Sequence, residues 1–172
     1  MSEGAEFSRL IDLRQIGQKP VLIEANETER RRLAGRFGIP AIESLAAEVS
    51  LEASGAKVDA TGRLRAEIVQ ACAISGEDFA VEIDEPIALR FVPLGSIAHS
   101  DDEIELDDAA CDEIEYEGTA FDLGEAVAQT LALAIDPFAE GPNAEAARKA
   151  AGLSDESSSG PFAALAALRK DG

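Results

Sequence analysis

Apolar and polar positions alternate through the middle of the chain. On either side of that region the apolar positions repeat every fourth residue. Near the start, Phe7–Leu13 ("FSRLIDL") and Pro20–Ala25 ("PVLIEA") read as short strands. The period then changes in "NETERRRLAGRFGIP". Asn26 can cap a helix and Glu29 follows at the third position, a capping-box spacing. Leu33 and Phe37 lie one turn apart and would face a core, and Gly38 with Pro40 ends the helix. From Leu45 to Val92 the period is two. Val49, Leu51 and Ala53 alternate with polar residues, and "DATGR", around Thr61-Gly62, reads as a turn. Leu64, Ala66, Ile68 and Cys72 then share one parity. After "SGED", so do Phe79, Val81, Ile83, Ile87, Leu89 and Phe91. Pro86 interrupts this last run, which predicts an edge or bulged strand. Three strands on short turns predict an antiparallel meander with one buried face.

Beyond the meander, "FDLGEAVAQTLALAIDP" predicts the clearest helix. Asp122 caps it, Leu123, Val127, Leu131 and Ile135 form its apolar stripe, and Asp136-Pro137 stops it. "NAEAARKAAGL" adds a turn or two of helix. "SDESSSGP" has the composition of a linker, and "PFAALAALRK" is a short amphipathic end with Phe162, Leu165 and Leu168 on one side. The expected fold class is α+β: an antiparallel β meander with a few packed helices, an acidic loop or arm, and a short C-terminal helix. A single domain is expected over residues 1–153, with linker and amphipathic segment over 154–172.

Charge changes this picture most. The 172 residues carry a net charge of −19, and all of the excess lies in residues 66–140. Residues 66–140 hold twenty acids and one base, Arg90, while the flanking segments are each balanced. Ten acids fall between His99 and Gly118. There Ile104 and Leu106, then Ile114 and Tyr116, alternate with acids, as two short strands or a mobile arm; like charges on facing strands would oppose pairing. Solubility is one use for such a segment. A basic protein partner is the sharper one, with contacts expected at Asp101, Asp102, Glu103, Ile104, Leu106, Asp107 and Asp108. Tight binding of this segment to nucleic acid is disfavoured, since phosphates repel it. The basic patch available for RNA is Arg30, Arg31, Arg32 and Arg36 on the first helix, where a solvated face is the plainer reading.

Little else points to chemistry. His99 stands alone in a polar loop, and no phosphate loop, dinucleotide fingerprint or zinc quartet occurs. Asp101, Glu103, Glu105 and Asp107 lack the spacing and turn glycine of an EF-hand. Cys72, on the apolar parity of its strand, reads as a structural, buried and inert thiol, and Cys111 lies among acids that would raise its pKa. Two distant cysteines, no secretory pattern and no apolar run of about 18 residues give a cytoplasmic protein as the expectation, with no membrane, no cofactor, no metal and no small-molecule substrate.

"VQACAISGEDFAVEIDEPIALRFVP" resembles the central motif of the YceD family, with Val69, Gln70, Cys72, Phe91 and Pro93 matching. "AFDLGEAVAQTLALAIDPFA" resembles its acidic-to-helix hallmark, and "GPFAALAALRK" its C-terminal ending. The three motifs come in the family order. Ser75 stands where some relatives have a second Cys, which removes a thiolate pair for metal. "SGED" replaces the Thr-Leu-Glu-Pro of others, so a function tied to that turn does not carry over. The resemblance implies a non-catalytic role in accumulation of the large-subunit ribosomal RNA, with a basic ribosomal protein, large-subunit precursor RNA or both as partners. Two readings of other kinds compete with it. One is a metal-dependent nuclease or hydrolase using clustered carboxylates. The other is an acidic adaptor unrelated to ribosomes.

Overall fold

The computed structural model describes residues 5–96 and 112–152. In chain order the elements are β1 (Leu10–Asp12), a 3-10 turn (Leu13–Gln15), β2 (Val21–Glu24), α1 (Glu27–Phe37), β3 (Ala41–Ser54), β4 (Lys57–Ala71), β5 (Asp78–Pro93), β6 (Asp112–Tyr116), β7 (Ala120–Asp122), α2 (Leu123–Ala134) and α3 (Ala144–Ala150). The fold is α+β. A five-stranded sheet has the order β2-β3-β4-β5-β6, and β1 pairs with β7 as a separate ribbon. The "PFAALAALRK" segment lies outside the described residues.

The predicted meander is β3-β4-β5, antiparallel throughout. Its inner face carries Leu45, Ala47, Val49 and Leu51 from β3. β4 adds Val58, Ala60, Leu64, Ala66 and Ile68, and β5 adds Ile83, Ile87, Leu89 and Phe91, all buried. α2 covers this face with Leu123, Val127 and Leu131, and α1 adds Leu33 and Ala34. Ile42 is also buried although it has the opposite parity to Leu45, because a bulge between Ile42 and Ser44 inserts one residue.

One expectation is corrected. The first hairpin turns at Gly55-Ala56, where Gly55 has φ 64°, and Thr61-Gly62 lies inside β4. Gly62 serves close approach: a Cβ there would sit 2.0 Å from the Glu48 carbonyl oxygen. Of the two forms left open for the acidic stretch, Asp112–Tyr116 takes that of a short strand: β6 joins β5 in parallel, from Leu89↔Asp112 to Pro93↔Tyr116. This part of β5 holds no acid, and Glu113 lies opposite Arg90, the one base of residues 66–140. Pro86 fits the edge reading. The β4 register passes through Arg63↔Pro86 without a shift, and the described part of β6 pairs only with Leu89–Pro93.

The N-terminal segment is fastened to the start of α2. The Asp122 carboxylate accepts bonds from Ser8 Oγ (2.6 Å), the Arg9 N–H (2.8 Å) and the Glu125 N–H (3.1 Å), and the Leu123 N–H donates to the Arg9 carbonyl. Gly124 makes room, since a Cβ there would meet Arg9 N at 2.7 Å and Phe7 O at 2.8 Å. Phe7 is fully buried. Nearby, Phe121 stacks on Phe91 with centroids 4.1 Å apart, and the Tyr116 hydroxyl donates to the Ala56 carbonyl.

Both glycines are predicted to be irreplaceable for steric reasons. Gly62→Ala and Gly124→Ala should each lower unfolding stability by about 3 kcal/mol in urea titrations, because the obstructing atoms are backbone. Gly17→Ala is the control, as its Cβ would meet nothing within 4 Å. Equal midpoints for all three variants would contradict the close-approach account.

Candidate functional site

The central motif ends β4 in a turn over residues 72–77. The Cys72 N–H donates to the Glu77 carbonyl and the Gly76 N–H to the Cys72 carbonyl, with Gly76 at φ 73°. The segment after α2 seats on this turn. The Ala73 N–H donates to the Ala139 carbonyl, buried Gln70 donates Nε2 to the Asp136 carbonyl (2.8 Å), and Asn143 Nδ2 donates to Glu77 (2.7 Å). A Cβ at Gly141 would touch the Phe79 ring at 3.0 Å. Cys72 and the segment after the Asp-Leu helix, distant in sequence, thus form one structural unit.

Cys72 is 3% exposed. Its Sγ accepts the N–H groups of Ser75 (3.3 Å) and Ile74 (3.4 Å). The Ser75 hydroxyl, with the backbone N–H groups of Ser75, Gly141 and Ile74, lowers its pKa to about 7 against the opposing effect of burial. Ser75, three residues after Cys72, is thus a hydrogen-bond donor to its sulfur. Among the described residues, no group of three or more His, Cys, Asp or Glu side chains is placed to hold a metal. His99 and Cys111 lie outside the described residues.

The four arginines of α1 hold different positions. Arg30 Nη1 donates to the Ala25 carbonyl (2.8 Å), and Arg31 pairs with Glu27 one turn earlier (2.8 Å). Arg30 and Arg31 border a groove of about 550 Å³ between α1 and β3. Arg32 is exposed. Arg36 is tied into the fold: its two Nη atoms grip both Glu125 oxygens (2.8 and 3.0 Å), and Nη1 also reaches Glu6 (3.1 Å). A guanidinium so bracketed has little left to offer a phosphate. Sequence reasoning missed Arg9, which holds Glu29 through both oxygens (2.7 and 3.0 Å) and lies over the Phe7 ring. It also missed a second basic pair. Arg63 and Arg65 project from the outer face of β4 beside a groove of about 440 Å³, with Asp84 at 2.8 and 3.8 Å. The signal was their parity, opposite to Leu64 and Ala66.

The acidic segment is described only from Asp112. Asp101, Asp102, Glu103, Ile104, Leu106, Asp107 and Asp108 lie outside the described residues. The visible remainder is the β5–β6 edge. Asp78, Glu82, Asp112, Glu113 and Glu115 are exposed along it, and Arg90 is engaged by Asp59 (2.6 Å).

These features define an α+β protein whose described β5–β6 edge carries five exposed acids. The chain belongs to the YceD family: the family model described as "Large ribosomal RNA subunit accumulation protein YceD" matches residues 60–169, close to two thirds of the sequence. The match begins within β4 and leaves β1, β2, α1 and β3 outside it. No curated protein and no solved structure matches. Among the described residues, no helix is long and apolar enough to cross a membrane.

Two predictions follow from the ionisable groups. Hydrogen bonds from Arg36 hold the Glu125 carboxyl below its usual 4.5, outweighing its desolvation. The stability from this pair is therefore full above about pH 4.5 and is lost as pH falls through the lowered value. Arg36→Gln should cost about 1 kcal/mol at pH 6 and markedly less at pH 3 in denaturant titrations; an undiminished gap at pH 3 would exclude the pair as its source. The second prediction concerns Cys72. Native protein at pH 8 should react with a disulfide reagent far more slowly than the urea-unfolded chain, although a large thiolate fraction is present. Its folded pKa is lowered, so its contribution to stability is full above the unfolded pKa near 9 and fades as pH drops through about 7. The melting-temperature gap between parent and Cys72→Ala should therefore widen from pH 6 to pH 9. A constant gap would refute thiolate stabilisation by the turn.

Proposed function

We propose that this protein is a non-catalytic factor for accumulation of large-subunit ribosomal RNA, and that it works by holding a basic ribosomal protein, precursor RNA or both. The observation that carries this reading is the family membership of a chain whose acids are gathered into one segment. Ribosomal proteins are strongly basic, so an acidic edge followed by a longer acidic run suits their capture and release by charge. Asp101, Asp102, Glu103, Asp107 and Asp108 set the encounter rate in this reading, and Ile104 and Leu106 the lifetime of the complex. RNA is met by Arg30, Arg31 and Arg32 on α1, with Arg36 supporting that face. Cys72 keeps the central turn in shape. The protein acts in the cytoplasm, with residues 154–172 as a Ser-rich linker and short amphipathic segment.

Affinity capture of the tagged protein tests the reading. Large-subunit precursors should co-purify, and depletion should lower the ratio of large- to small-subunit ribosomal RNA. Recovery of neither precursor RNA nor any ribosomal protein would sink it. Cleavage of precursor RNA in magnesium or manganese, abolished by carboxylate substitutions, would replace it with the nuclease. With a partner in hand, the five-site amide variant at 101, 102, 103, 107 and 108 should associate more slowly at low salt, with a smaller change in dissociation. Substituting Arg31 and Arg32 by Gln should reduce the salt slope of RNA binding by about 1 to 2.

A further inference from the structure

Where the free edge of β5 meets α2 there is a groove of about 340 Å³. Ile87 and Leu89 of β5 line it, together with Leu133 and Ala134 of α2. Leu133 is 83% exposed, more than any other large apolar side chain among the described residues. Two carboxylates, Glu85 and Asp112, complete the lining. Glu85 has the parity of Ile83 and Ile87, and Asp112 that of Ile114 and Tyr116, so both stand on the core-facing side of their strands at its open margin. Among the described residues neither accepts a hydrogen bond or forms an ion pair; Arg63 senses Glu85 only through space. Alongside, the edge of β5 from Asp78 to Ala88 carries no described strand and bears exposed Asp78 and Glu82.

An apolar floor between two carboxylates suits a long cationic side chain. Its alkyl stem covers apolar surface while its head stays at the polar rim. Phosphate would be repelled by these carboxylates, and a second copy of this chain would bring acid against acid. We propose that this groove receives an arginine or lysine from an extended segment of a basic protein partner, with the stem on Leu133 and Ile87 and the charge between Glu85 and Asp112. The inference rests on the proposed function only in taking the partner to be cationic.

The test uses the full chain and a fluorescent, extended Arg/Ser peptide, read by anisotropy at two salt concentrations. Leu133→Ser, and Glu85→Gln with Asp112→Asn, should each weaken binding about tenfold. The control is Glu48→Gln with Glu52→Gln. It removes the same charge from exposed positions of β3, two strands away from the groove, and it should stay within about twofold of the parent. Leu133 is exposed, so its variant should keep the parent's urea midpoint. Equal losses in the control would mean diffuse attraction and overturn the groove. So would parent-like binding by Leu133→Ser, or a parent dimer that this variant dissociates. If the amide variant at residues 101–108 alone loses the peptide, the proposed function survives and the groove does not. If the parent binds no cationic peptide, the groove falls, and the proposed function stands only through RNA.

Discussion

One carboxylate fixes the arrangement of the helices and the N-terminal segment. Asp122 caps α2 and at the same time holds Ser8 and Arg9, more than a hundred residues earlier. The connection then branches. Arg9 grips Glu29, whose own carboxylate closes the capping box of α1 on the Asn26 N–H. Arg36 at the far end of α1 returns to Glu125 in the first turn of α2. The two helices that cover the sheet are thereby joined at both ends of α1 by charge-assisted bonds, and the apolar contacts of Leu33 and Leu123 form beneath them. Because charged groups are costly to leave unpaired when partly desolvated, loss of Asp122 would disturb its partners as well as the cap.

Folding so acidic a chain requires that its charges avoid one another. The sheet manages this by topology. β6 approaches β5 in parallel, so its acids lie beside Leu89, Arg90 and Val92. On β4 and β5 the outward positions mix signs, and Asp84 sits between Arg63 and Arg65. Exposed Asp78 and Glu82 stand along the part of β5 that carries no described strand. There they also discourage edge-to-edge pairing between copies, as Pro86 does by interrupting the row of donors.

Much of the fold was legible where signals are local. The Asn26 capping box, the Asp122 cap, the apolar stripe of α2 and the alternation of β4 and β5 depend on neighbours a few residues apart, and all appear as expected. Thr61-Gly62 misled because a glycine needed for close approach looks the same in sequence as one needed for a turn. The deciding atom, the Glu48 carbonyl, belongs to another strand. A period of two also carries no strand direction, so the parallel attachment of β6 was beyond reach. Of the candidate site, the basic face was visible as a cluster. The engagement of Arg36 was not, since Glu125 lies 89 residues away. The Gly141 donor to Cys72 was hidden for the same reason, since it reaches the sulfur only after the chain has passed through α2.

The β1–β7 ribbon joins Leu10 to Asp122, about 110 residues apart in the chain. During translation the first strand emerges long before its mate has been made. The meander and α1 can assemble in the meantime, while Phe7 and the rest of the leading segment wait without a seat. Closure of the protein is thus timed by the appearance of residue 122 outside the exit tunnel, and chains cut short before that point would leave an apolar N-terminal segment unoccupied and open to quality-control proteases.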